Sequence, residues 1–181
     1  KNGIQFEITT FRREIQYVNN RKPVEIKYID DLSLDLLRRD FTINTICMDE
    51  DGNIIDYLNG REDIEKKVIR TVGNAFERFE EDSLRILRAI RFATILDFEL
   101  SDEVVDAIKE TKSYVKNLSY TRKKEELDQI FNSPNHNRGI QLLLDFHLDE
   151  ELELDNLKDL LNYEINSSVE AWSLLDASIK Y

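Results

Sequence analysis

The chain has 181 residues and a formal net charge of −12, with 34% charged and 41% hydrophobic residues, which excludes a broad nucleic-acid surface yet leaves enough apolar material for a core. A single cysteine, Cys47, rules out an internal disulfide; His136 and His147 make no zinc site, and no apolar run approaches the roughly 20 residues of a membrane span. A soluble protein of the reducing cytoplasm is expected, and scarce Gly (5) and Pro (2) beside many Leu, Ile, Glu and Lys predict a mostly helical one.

At the start, Ile4, Phe6 and Ile8 alternate with Gln5, Glu7 and Thr9, the period of a half-buried strand. A lone strand is no sheet, so the chain is expected to be a piece of a longer protein unless later strands pair with this one. The polar segment 13–27, with Tyr17, Asn19, Asn20 and Pro23, reads as a long mobile loop. A short helix is predicted over 31–38, then a second over 43–48 capped by Thr42. Asp51-Gly52-Asn53 turns into a short strand at 54–57, Asn59-Gly60 turns again, 61–67 makes one or two helical turns, and 68–73 is another strand.

From residue 75 onward the spacing is helical: 75–96, 101–111 with Ser101 as N-cap, 114–118, 121–132, 137–146, 154–161 and 167–180. Composition changes near Gly73 and, more weakly, at Ser133-Pro134, so three parts are expected: 1–73, 74–132 and 133–181. Residues 132–181 carry 10 acids against 3 bases, so any RNA contact must use local basic stripes.

The segment 75–96 organises the rest. On one continuous helix, Arg78, Glu81, Arg85, Arg88 and Phe92 share an arc and Phe76, Phe79, Leu87 and Ile90 fall opposite. Asp82 and Arg85, three apart, can aim an acceptor and a donor fork at one point. Cytosine and adenine offer an amino donor beside a ring-nitrogen acceptor, whereas uracil and guanine offer the reverse pattern. Such a pair therefore suits C and A and leaves U and G with unpaired polar groups.

Three stretches in order, 38–44 (Arg38-Arg39-Asp40-Phe41-Thr42-Ile43-Asn44), 69–73 and 81–92, together resemble the class II tRNA nucleotidyltransferases, the CCA-adding enzymes, and their poly(A) polymerase relatives. The resemblance runs from about Phe6 to Phe131 and takes in Arg122 as part of a last motif. It implies an α+β, mostly helical protein: the remnant of a polymerase-β-like nucleotidyltransferase head, then an all-helical neck and the start of a body. It also implies ATP, CTP and the tRNA 3′ end as partners, Mg²⁺ as cofactor, and C and A addition as activity, with poly(A) polymerase or a non-catalytic helical interaction domain as alternatives. Carried over by residue, Arg39 and Asp40 would meet ribose and phosphate, Asp82 and Arg85 the base, and Arg88 the triphosphate. Arg91 would buttress the helix or pair with an acid, and Glu7 would stand beside the metal. The family's upstream Asp-x-Asp and Gly-Gly segments are not in this chain, so the chain alone is expected to carry recognition without catalysis. Ser83 stands where the family has proline, and Tyr57-Leu58-Asn59 replaces Pro-Phe-Gly.

Overall fold

A hairpin occupies the segment whose polarity suggested a loop. In the computed structural model, which describes residues 8–18 and 22–176, strand β1 (Arg12–Val18) pairs antiparallel with β2 (Lys22–Tyr28), from Arg12 opposite Tyr28 to Val18 opposite Lys22. The loop expected over 13–27 is thereby corrected: Ile15 and Tyr17, then Val24 and Ile26, recur every second residue, and this period outweighs the Asn and Pro content. The strand expected at 4–8 lies outside the described residues except for Ile8, which is exposed and in no strand. Glu7 lies outside them too.

Helix α1 (Leu32–Leu37) starts where Asp31 accepts from the backbone N–H of Ser33 and Leu34. The second helix expected at 43–48 shrinks to a 3₁₀ turn, Thr42–Asn44, because Cys47–Met48 is taken as strand β3 by β4 (Ile54–Ile55). Asp49 closes that ribbon by accepting from Asn53 N–H at 2.7 Å. Helix α2 (Gly60–Lys66) packs on the 3₁₀ turn so closely that a Cβ on Gly60 would stand 2.3 Å from the Thr42 carbonyl oxygen. Only glycine fits there. Strand β5 (Val68–Ile69) pairs in parallel with β6 (Glu99–Leu100), a partner no alternation in the sequence announced.

The helix expected over 75–96 is two helices, α3 (Ala75–Glu81) and α4 (Leu84–Leu96). Asp82 between them is extended (φ −148°, ψ 102°), and its carboxylate accepts from Leu84 N–H at 3.1 Å. This local bond competes with helix continuation, as aspartate commonly does. Ser101 caps α5 (Asp102–Thr111) as expected. A 3₁₀ turn (Lys112–Asn117) leads to α6 (Tyr120–Phe131), α7 (His136–Asp145) and α8 (Leu148–Leu152). The helix expected at 154–161 is a 3₁₀ turn (Leu157–Asn162), and α9 (Ser168–Asp176) follows. A buried apolar cluster runs from Phe41 and Ile69 through Ile86, Leu87 and Ile90 of α4 to Ile130, Ile140 and Leu175. At its centre, α4 packs on α6 and α7, with Gly139 of α7 close against Thr94 and Ile130.

Candidate functional site

The site begins at the end of α1. The last carbonyls of a helix have no partner within it, and here arginines from two other helices supply one. Arg78 Nη2 donates to the Leu37 carbonyl at 3.0 Å, and Arg85 Nη2 donates to that of Arg38 at 3.3 Å. Both arginines also grip one carboxylate, Glu81, each at 2.7 Å. The shared face of Arg78, Glu81 and Arg85 thus exists, although α3 and α4 are separate helices.

Capping α1 in this way sets Asp40 against α4. Asp40, 9% exposed, accepts from its neighbour Phe41 N–H (2.8 Å), from Asn44 Nδ2 (2.9 Å) and from Arg88 Nε (2.7 Å). Burial alone would raise its carboxyl, but the Arg88 charge and these hydrogen bonds outweigh it and hold Asp40 below the usual carboxylate range. Arg39 behaves differently. Its Nη2 reaches Asp35 at 3.2 Å and its Nη1 the Asn44 carbonyl at 3.4 Å, while its Nε is buried with no hydrogen-bond partner. The Nε atoms of Arg91 and Arg138 are in the same state, so this feature alone does not mark Arg39 as a ligand contact.

Asp82 and Arg85 do not form an isolated pair. Asp82 is clamped by Arg122 Nη2 of α6, at 3.0 and 2.7 Å to its two oxygens. Arg85 is 7% exposed and donates to Glu81 and to the Arg78 and Arg38 carbonyls. Arg88 bonds Asp40 and comes within 3.8 Å of Glu126 of α6, beside the ring of Phe92. Arg91 meets Glu126 at 2.9 Å and lies 4.3 Å from the Phe92 ring centroid, the acid pairing expected of it. Burial pushes the Glu126 carboxyl up, only partly opposed by Arg91 and Arg88.

Two buried acids that pair with the arginines of this region escaped sequence reading. Asp35, 1% exposed, stands three and four residues before Arg38 and Arg39, a spacing that could have revealed it. Glu126 carried a fainter signal: it lies four residues from Ile130 and so on the buried face of α6.

A metal fits poorly among the described residues. No three His, Cys, Asp or Glu side chains gather there into a ligating group, Asp40 is committed to Arg88 and Asn44, and Asp49 is committed to its own turn.

Residues 1–70 match a family model described as the poly A polymerase head domain, and residues 97–156 one described as a probable RNA and SrmB-binding site of polymerase A. The chain is 42% identical over 177 residues to a CCA-adding enzyme of Bacillus pumilus, covering 94% of this chain and 44% of that protein. It is 40% identical over 178 residues to that of Bacillus subtilis, covering 94% and 45%. Among solved structures, the Bacillus stearothermophilus CCA-adding enzyme in complex with CTP superposes with a TM-score of 0.75 at 37% identity, over 83% of this chain and 36% of that one. A tRNA nucleotidyltransferase complexed with a primer tRNA and an incoming ATP analog gives 0.63 at 33%, over 67% and 37%. The chain spans less than half the length of these relatives.

Proposed function

The chain belongs to the family of CCA-adding enzymes and poly(A) polymerases, and on that premise we propose that it is the nucleotide-reading part of a template-independent nucleotidyltransferase that adds C and A to tRNA 3′ ends from CTP and ATP. One observation carries the proposal. The Arg39-Asp40 segment and the Asp82-to-Arg88 segment, over 40 residues apart in sequence, are drawn together by Arg88 on Asp40 and Arg85 on the Arg38 carbonyl. The residues proposed to meet ribose, base and triphosphate are thereby linked in one network.

Each group has a role that its surroundings favour. Asp82 is a partly exposed carboxylate backed by Arg122 on one side; with about four lone-pair sites it still has capacity to accept from an exocyclic amino group. Arg85 is the more deeply set, so reading a base calls for its guanidinium to turn outward from Glu81 and the two carbonyls. Arg39, tethered by contacts of 3.2 and 3.4 Å, and Asp40 would meet ribose and phosphate, and Arg88 would divide its charge between Asp40 and the triphosphate. Mg²⁺, the metal such transfer uses, would activate the primer hydroxyl and neutralise the triphosphate. The described residues do not make its site.

The test is binding and extension by the full-length protein, with all four triphosphates in competition on a tRNA lacking its 3′ CCA. Selective CTP and ATP use, with Asp82→Ala and Arg85→Ala each lowering efficiency about 10- to 100-fold and relaxing choice, supports the reading. Wild-type selectivity in both variants would overturn it. Use of ATP with no use of CTP would identify a poly(A) polymerase instead.

A further inference from the structure

Arg39 is lightly held, by contacts of 3.2 and 3.4 Å, and what holds it also holds the hairpin. The Oδ2 of Asp35 accepts from Arg39 Nη2. Its Oδ1 accepts from Arg38 Nε at 2.8 Å and from the backbone N–H of Arg12 at 3.1 Å. The arginine contacts are local, since residues three and four apart on a helix are neighbours. The Arg12 contact is not: it spans 23 residues and reaches the first residue of β1. There the hairpin is anchored, with Arg12 opposite Tyr28 and Ile29 N–H donating to the Phe11 carbonyl at 3.1 Å.

On the nucleotide-site reading of Arg39, we infer that Asp35 is a positioning residue that sets the Arg39 guanidinium and makes its setting depend on where strand β1 begins. A carboxylate 1% exposed has no freedom to follow one partner without leaving another. A displacement of Arg12 is therefore passed through the carboxylate to Oδ2, and so to the weakly held Arg39 that donates to it. Asp35 keeps its charge despite burial, which raises its carboxyl, because the Arg12 N–H, Arg38 and Arg39 together bring it below the usual range. An acid serving only to pin α1 would have no need of the hairpin.

The contact with β1 is a backbone N–H, so proline at position 12 deletes it while the first position of a strand tolerates proline. The experiment compares Arg12→Pro with Arg12→Ala, which keeps the N–H, and adds Asp35→Asn and Arg39→Ala, all in the full-length protein. CTP and ATP affinities are measured by calorimetry, beside thermal midpoints. Expected are about 10-fold weaker CTP binding in Asp35→Asn, weaker binding in Arg12→Pro than in Arg12→Ala, and no further loss when Asp35→Asn and Arg12→Pro are combined. If Arg39→Ala weakens binding while Asp35→Asn and Arg12→Pro keep the affinities of their references, the coupling is overturned and the nucleotide-site reading stands. If Arg39→Ala itself binds normally, that reading of Arg39 falls. A lowered thermal midpoint in Asp35→Asn with unchanged affinity would make Asp35 merely structural and also overturn the inference. Should Arg12→Pro not fold, hydrogen exchange at the Arg12 amide replaces it: faster exchange in Asp35→Asn supports the link, and unchanged exchange overturns it.

Discussion

Asp35 and Glu126 are built from the same parts and end in opposite states. Each is a carboxylate at least nine-tenths buried with two arginines beside it. Asp35 receives aligned N–H donors from Arg12, Arg38 and Arg39 and sits below the usual carboxylate range. Glu126 has Arg91 at 2.9 Å and Arg88 at 3.8 Å, yet its Oε2 makes no hydrogen bond and burial pushes it up. The difference is alignment, since hydrogen bonds to a buried charge repay desolvation only when their geometry is good. Asp35 is therefore a fixed point of the site, and Glu126 is a loose counter-charge beside Arg88.

Truncation should separate the two most clearly. Asp35→Ala would leave Arg38, Arg39 and the Arg12 N–H without their buried acceptor, a loss of about 3–5 kcal/mol in chemical denaturation. Glu126→Ala would cost less, about 1–3 kcal/mol, because Arg91 keeps its packing on Phe92. Equal losses would break the contrast.

Arg88 touches an acid of each quality and so offers a finer measure. A double-mutant cycle of Arg88→Met with Asp40→Asn should give a coupling of about 1–3 kcal/mol, as for charged hydrogen bonds. The cycle with Glu126→Gln should give under about 0.5 kcal/mol, since the 3.8 Å contact is an ion pair without a hydrogen bond. The reverse order would place the Arg88 charge with α6 instead of with Asp40.

These states explain what could be foreseen. The α5 cap at Ser101 and the helices packed around α4 were legible, because capping and helical period are local, and motif spacing sufficed to single out Arg39, Asp40, Asp82, Arg85 and Arg88 for the proposed site. The break at Asp82 was not: its bond to Leu84 N–H is local, but aspartate is also found within helices, and the Arg122 clamp on the same carboxylate comes from 40 residues away. Nor was the β5–β6 pairing, two residues long on each side and too short to display a period. The hairpin at 12–28 was legible in principle and was obscured by its polar composition. Which of the arginines face an open surface and which are spent on capping α1 depends on where α1 ends in space, and no spacing encodes that.

The smallest effect is also the one that most directly separates the two acids. The isosteric variants Asp35→Asn and Glu126→Gln remove one titration each, and their costs relative to the parent should change with pH in opposite directions. Asp35 is lowered in the folded chain, so it contributes stability that is present above its ordinary value of about 3.9 and is lost as pH falls through its folded value. The cost of Asp35→Asn should therefore be full at neutral pH and shrink in acid. Glu126 is raised, so its contribution is full below the ordinary value of about 4.3 and is lost as pH rises through its folded value. The cost of Glu126→Gln should be larger in acid and diminish toward neutrality. Denaturation of parent and variants at matched ionic strength, from about pH 3 to about pH 7, measures both. Parallel profiles would mean that the two carboxylates sit in equivalent electrostatic surroundings, and that the missing hydrogen bond at Glu126 carries no energetic weight.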